Sequence, residues 1–297
     1  MTTRPAAPRI AQAFASVSMD TGITIQVVTN ESRDVVEQEV GRALAWFESV
    51  ERICTRFDPN SEVMQLLDRV GKPVQVSTLL FEVVAFALDL AEQSGGAFDP
   101  TIGAHMQRLG FDTNYRTGEV VRSQVDATSA SYRDVKLDHR RRTIQLRRPL
   151  VLDLNAVAKG LAIDLAANAL QRFADVCIEA GGDLYVRGRN AAGEAWRVGI
   201  QHPRAADVLI DTLHVTDTAV CTSGDYERLG HIVDARSHQS TTDLASVTVV
   251  APTAMAADGL STTAMVLGRD RGRAFLEQQA VGGVLVAPDG GLTRINL

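Results

Sequence analysis

Ala256-Ala257-Asp258-Gly259-Leu260-Ser261-Thr262-Thr263-Ala264-Met265-Val266-Leu267-Gly268 follows the apolar run Val247-Thr248-Val249-Val250-Ala251, and Pro252 marks the turn after that run. The first run predicts a strand, and from about Asp258 the pattern turns helical. Residues four apart share a helix face, so Asp258 and Thr262 point the same way with Ser261 beside them. A carboxylate flanked by two hydroxyls offers only hard oxygens, which suit Mg²⁺ better than Zn²⁺. The helix N-terminus expected nearby would favour an anion such as phosphate. Asp, Ser and Thr are equally at home as first-turn caps, and spacing alone leaves both readings standing.

The rest of the chain alternates strands and helices irregularly. Two strands are expected between Phe14 and Val28 around Asp20-Thr21-Gly22, then a helix over 32–50 carrying Val35, Val36, Val40, Leu44, Phe47 and Val50 at helical spacing. A short helix opens at Ser61-Glu62, and a longer one runs from Ser77 or Thr78 to Gln93, stopped by Ser94-Gly95-Gly96. Tyr132 to Leu150 predicts two strands around the basic turn Asp138-His139-Arg140-Arg141-Arg142, a solvated hairpin. Asp153 to Gly160 leads into a helix over 161–173, with Lys159 in its first turn. Further strands are expected around Cys177-Ile178, Leu184-Tyr185-Val186 and Trp196 to Ile200, and a final helix near Arg271–Gln279 precedes a hairpin through Val284. This order is too irregular for a doubly wound sheet. It predicts one α+β domain over residues 13–297, a mixed sheet with packed helices, after a disordered Pro/Ala-rich N-terminus at 1–12.

Composition narrows the function classes. The 297 residues are 45% hydrophobic, enough for a sizeable core without disulfides. A formal net charge of -6 gives no global basic surface for nucleic acid. Cys54, Cys177 and Cys221 form no metal or redox spacing and are expected as buried free thiols, which fits a reducing compartment. No apolar run is long enough to span a membrane, and no signal h-region or lipid-accepting Cys opens the chain, so a cytoplasmic location is expected.

Polar residues gather at four places where apolar elements end: Gly95 to Asp99, Asp153 to Lys159, Thr222-Ser223-Gly224 with His231 and Asp234, and the Asp258 helix. Neither GxGxxG nor GxxxxGK[ST] occurs. The series Gly96-Ala97-Phe98-Asp99-Pro100-Thr101, Asp153 to Gly160, Gly181-Gly182-Asp183-Leu184, Trp196 to Ile200, Thr222 to Tyr226, His231-Ile232-Val233-Asp234 and Ala257 to Thr262 resembles, in order, the ApbE family of flavin transferases, which use FAD to attach FMN to other proteins. The resemblance runs from about Met19 to Gly268.

That resemblance implies an ApbE-like, T-fold-related architecture and a set of roles. Asp258 and Thr262 would bind Mg²⁺, with Ser261 nearby and the Ala156 carbonyl completing the site. Met19, Ala97, Phe98, Asp99, Asp153 and Lys159 would contact FAD, as would Ile232 through its backbone, with Phe57 against the flavin. His231 would be the general base for a threonine hydroxyl on an acceptor flavoprotein domain, releasing AMP. The alternatives are an FAD pyrophosphatase and a non-catalytic FAD carrier. Each residue also has a plain structural reading: His231 as a buried backbone-bonded histidine, Lys159 as a solvated helix residue, Asp153 as a cap, Phe57 and Met19 as core. The chain departs from the family pattern in three places. Asp20 replaces a glycine, Ala235 a proline, and Ser237-His238 a Thr-Gly.

Overall fold

The computed structural model describes residues 9–125, 130–226, 230–240 and 243–297. Strands β1 (Ile10–Ser18) and β2 (Thr21–Thr29) form a hairpin whose two-residue turn is Met19-Asp20, with Ser18 opposite Thr21. Both turn residues take positive φ, 54° and 60°, the mark of a type I′ turn, which glycine or asparagine adopts at least cost. The turn therefore lies one to two residues before the expected Asp20-Thr21-Gly22. Residues 10–12 belong to β1, not to a disordered terminus, and residues 1–8 lie outside the described residues.

Helix α1 (Arg33–Cys54) buries Val36, Val40, Phe47 and Val50 of the stripe its spacing predicted, with Ala43 in addition, while Leu44 is half-buried and Val35 faces solvent. A short α2 (Glu62–Gln65), a brief β3 (Val74–Gln75) and α3 (Thr78–Gln93) follow, with Ser61 and Ser77 accepting first-turn N–H groups as caps. Next come α4 (Gly103–Arg108), β4 (Val135–Asp138) and β5 (Thr143–Leu146), the last two joined by the basic turn with its arginines exposed. The chain continues with α5 (Asn155–Ala169), β6 (Val176–Ala180), β7 (Asp183–Arg187), β8 (Trp196–His202), β9 (Ala205–Val215) and β10 (Thr218–Gly224). It closes with β11 (Ser246–Ala251), α6 (Ala254–Leu267), α7 (Arg269–Gln278), β12 (Gly282–Val286) and β13 (Leu292–Ile295).

Eight strands form one sheet in the order β1-β2-β6-β7-β10-β11-β12-β13, each neighbour antiparallel. Alternation splits its side chains between two cores. Ile23, Ile25, Val27, Cys221, Val247 and Val249 face the layer of α1, α5 and α6. Val28, Leu184, Val186, Val220 and Val284 face the other way and are covered by Trp196, Ile200 and Leu213 of the β8–β9 hairpin. The fold is α+β, as expected. Among the described residues, no helix is long and apolar enough to cross a membrane.

The close crossing of α5 and α6 sets up the site. A Cβ on Gly160 would lie 2.4 Å from the Ala254 carbonyl oxygen, so only glycine lets the two backbones meet there. Gly160→Ala is expected to destabilise the fold by about 1–3 kcal/mol through overpacking, read as a lowered melting temperature by circular dichroism. An unchanged melt would mean that the helices separate without cost.

Two helix starts differ from expectation. Helix α5 begins at Asn155, so Lys159 sits in its second turn, and α6 begins at Ala254, four residues before Asp258. The α6 cap is Thr253, whose Oγ1 accepts from the Ala256 N–H. The Asp164 carboxylate of α5 accepts from Ala254 and Met255. Those orphan N–H groups are therefore taken, which removes both the capping role for Asp258 and the expected helix N-terminus for a phosphate. Local pattern misplaced the start because Ala254-Met255-Ala256 carries no polar signal of its own.

The three cysteines form no disulfide. Cys54 and Cys221 are buried, whereas Cys177, expected buried, is half-buried. Burial pushes the Cys54 and Cys177 thiols up to about 12, and burial together with acidic neighbours raises Cys221 well above the ordinary thiol range.

Candidate active site

At the end of the sheet where β1 stops and β2, β7 and β11 start, a cleft of about 750 Å³ opens over the helix-facing side. That volume falls in the usual range for small-molecule sites, about 300–1,000 Å³. Of the residues expected in the site, Met19, Phe57, Phe98, Asp99, Asp153, Ala156, Lys159, His231, Ile232, Asp258 and Thr262 line it. They come from the β1–β2 turn, the segment after α1, three other loops, α5 and α6, so the fold brings together stretches far apart in sequence. Ala97 and Ser261 are fully buried and stand behind the wall. Trp196 to Ile200 is part of the hairpin on the opposite face and does not reach the cleft.

Asp258 is 6% exposed, and its Oδ2 accepts from the Gly160 N–H at 3.2 Å, an approach that the α5–α6 crossing permits. Thr262, one turn on, shares a hydroxyl cluster with Ser223: Ser223 Oγ lies 2.9 Å from Thr262 Oγ1 and 2.8 Å from Ser261 Oγ. Ser261 also donates to the Asp258 carbonyl, turning its hydroxyl into the helix. Ser223 was in a noted stretch, but its role as the bridge across β10 and α6 was not foreseen.

Lys159 projects from α5 and ion-pairs with buried Asp183 at the start of β7. Asp183 accepts in turn from the Thr222 N–H at 2.9 Å. Burial works against the lysine's charge, but Asp183 and Asp258 outweigh it and hold the ammonium firmly protonated. Lys159 is thus not a solvated helix residue.

The other acids are more committed. Asp153, just ahead of the α5 cap residue Leu154, accepts from the Asn155 N–H through Oδ1, while its Oδ2 takes the guanidinium of Arg56 at 2.7 Å. Asp99 Oδ1 accepts from the N–H and hydroxyl of Thr101, and Oδ2 from the Tyr132 N–H at 2.8 Å. Burial raises the Asp99 pKa, with these bonds opposing. Its carboxylate organises its own loop. Asp234 is likewise a turn residue. It pairs with Arg236, and the loop behind His231 is pinned by the Ala235 N–H donating to the Ala97 carbonyl at 3.0 Å. A proline at 235 lacks that donor, so this departure from the family pattern adds a hydrogen bond. His238 takes φ 57°, where a glycine costs nothing, and its ring stacks on His105 at 4.3 Å.

One wall of the cleft hangs on Glu51. Its carboxylate accepts from Ser18 Oγ at 2.8 Å, Met19 N–H at 3.1 Å, Tyr115 Oη at 3.2 Å and Arg116 Nη2 at 2.6 Å. Burial pushes its pKa up, but Arg116 and the other donors prevail and hold it below the ordinary 4.5. The stabilisation is therefore fully present above that ordinary value and is lost as pH falls through the lower, folded-state value. Amide protection factors around Tyr115, with the intrinsic pH dependence of exchange divided out, should fall with acid over that range in wild type, while Glu51→Gln should show low protection at every pH. Protection in wild type that does not change with acid would rule the tether out.

Side chains lining the cleft include eight carboxylates (Asp20, Glu48, Glu51, Asp58, Asp99, Asp112, Asp153 and Asp258) against Arg52, Arg56, Arg116 and Lys159. Among the described residues, no three His, Cys, Asp or Glu side chains converge as a metal cage. Asp258 and the Thr262 hydroxyl fit a hard cation that keeps much of its shell for water and substrate oxygens, which is how Mg²⁺ is usually held.

The model of the ApbE family matches residues 19–285. A Treponema pallidum protein named FAD:protein FMN transferase is 32% identical over 251 residues, covering 73% of this chain and 68% of its own. One of the same name from Vibrio cholerae is 30% identical, covering 83% and 77%. The crystal structure of the ApbE protein from Thermotoga maritima superposes with a TM-score of 0.84 at 26% identity, covering 96% of this chain and 97% of that one. With six of the family's seven stretches meeting in a single cleft and its model spanning nearly the whole sequence, the chain belongs to the ApbE family.

Proposed function

We propose that this protein is an Mg²⁺-dependent FAD:protein FMN transferase that moves FMN from FAD to a threonine hydroxyl of an acceptor flavoprotein domain and releases AMP. The observation that carries this reading is the meeting of His231, Lys159 and the Asp258–Thr262 pair in one cleft with Phe57 and Asp153. The lining carries eight carboxylates against four cationic side chains, two of which are paired to Asp153 and Glu51, so a pyrophosphate would need an added cation with it. Bound at Asp258 and Thr262 with the Ala156 carbonyl, Mg²⁺ would neutralise charge on the leaving phosphate.

The protein's own residues do the rest. Phe57, Met19 and Ile232 offer apolar surface for the flavin, and the Lys159 ammonium, steered by Asp183, faces the phosphates. His231 takes the threonine proton as the oxygen attacks the FMN-side phosphorus. A new P–O bond forms to threonine, the bridging P–O bond breaks, and AMP leaves with its electron pair.

A single-turnover assay with FAD, Mg²⁺ and a flavoprotein acceptor tests this, following AMP by chromatography and the acceptor by mass. AMP appearing one-for-one with an FMN-bearing acceptor supports the proposal. Free FMN with an unmodified acceptor would make the protein an FAD pyrophosphatase, and intact bound FAD would make it a carrier.

A further inference from the structure

We propose that Arg56 is a positioning residue that builds the flavin-ring end of the cleft and sets its preference for a flavin over other ligands with the same phosphate end. The inference rests on the reading of the cleft as an FAD site. Arg56 leaves the end of α1 with only 2% of its surface exposed, yet it borders the cleft. Its Nε donates to Asp153 Oδ2 at 2.7 Å, and its Nη1 donates to the Phe111 carbonyl at 2.6 Å. Its Cζ lies 4.2 Å from the centroid of the Phe57 ring. The Phe57 carbonyl is held separately by Asn114 Nδ2 at 3.0 Å.

One planar group thus locks three parts of the chain: the segment after α1, Asp153 two residues before α5, and the loop carrying Phe111. A guanidinium has a rigid fork, so its two hydrogen bonds fix the plane that stacks on Phe57. The ring platform and the Asp153 carboxylate therefore keep a single relative placement. The buried charge is satisfied by Asp153, which explains how an arginine is tolerated there. A lysine at this position keeps a charge for Asp153 but has neither the fork nor the flat face.

The test is binding of riboflavin, FAD and ADP to wild type, Arg56→Lys and Arg56→Met, by flavin fluorescence and calorimetry, with melts to confirm folding. In Arg56→Lys, riboflavin and FAD are expected to bind about tenfold more weakly, the scale of a lost stacking arrangement. ADP affinity should stay within about twofold of wild type, since the phosphate end is untouched, and the shift in flavin absorbance on binding should shrink. Arg56→Met should show the same pattern more strongly; if it does not fold, Arg56→Lys decides alone. Unchanged riboflavin binding, or equal losses for FAD and ADP, overturns the role of Arg56. Failure of wild type to bind FAD would instead sink the reading of the cleft itself.

Discussion

His231→Ala is expected to lower FMN transfer by about 10²–10⁴-fold, the range for losing a general base, while FAD affinity changes little. A threonine hydroxyl is too weak an acid to ionise at neutral pH, so attack on phosphorus needs a group that accepts the proton as the bond forms. Histidine is the side chain whose ordinary pKa lies nearest that pH. His231 borders the cleft on a loop held on its C-terminal side: Ala235 is tied to Ala97, and Asp234 pairs across the turn with Gln239. Replacing the imidazole should leave that scaffold in place. Single-turnover rates and FAD titrations on the same preparation separate the two effects. Transfer that survives the substitution would remove His231 as the base, and an equal fall in FAD affinity would make it a binding residue.

Asp258→Asn is expected to abolish the response of transfer to Mg²⁺ and to lower the rate by about 10²–10³-fold, comparable to losing a main electrostatic contact at a reacting centre. The amide keeps the shape and retains an oxygen for the Gly160 N–H, so the α5–α6 crossing is disturbed less than by alanine. It removes the one carboxylate in the proposed donor set. Direct Mg²⁺ binding, by calorimetry with FAD present, gives a readout independent of turnover. A variant that binds Mg²⁺ as well as wild type would place the metal elsewhere. The neighbouring Lys159 sharpens the expectation, because its ammonium answers to both Asp258 and Asp183. Loss of one acid leaves Lys159 paired to the other, which should preserve folding while the cation site fails.

Two of the positions where the resemblance leads one to expect glycine, Asp20 and His238, share a backbone logic: both take positive φ, a conformation that costs an L-residue roughly 1–2 kcal/mol. The stacking of His238 on His105 offsets part of that cost at one position. At the other, the turn is held through Met19, whose N–H binds Glu51.

Local pattern was sufficient for most of the architecture. The spacing of Val36, Val40 and Phe47 foretold α1, Ser77 marked the start of α3, and the basic turn between β4 and β5 lay where its composition placed it, because a helix face, a cap and a tight turn are each written within a few residues. The polar stretches at element ends were legible for the same reason, and eleven of the residues singled out through the family resemblance, rather than by local pattern alone, line one cleft. What the stretches do to one another was not legible. Arg56 and Asp153 are 97 residues apart, Lys159 and Asp183 are 24, and Ser223 meets Thr262 across 39. No periodicity encodes such pairings. They exist because the antiparallel sheet collects its turns at one end and Gly160 lets α5 and α6 touch, so burial leaves each polar group only the partner the fold brings to it. The same cause moved the start of α6: Asp164, ninety residues earlier, holds its first N–H, and a cap supplied from another helix leaves no mark beside the residues it caps.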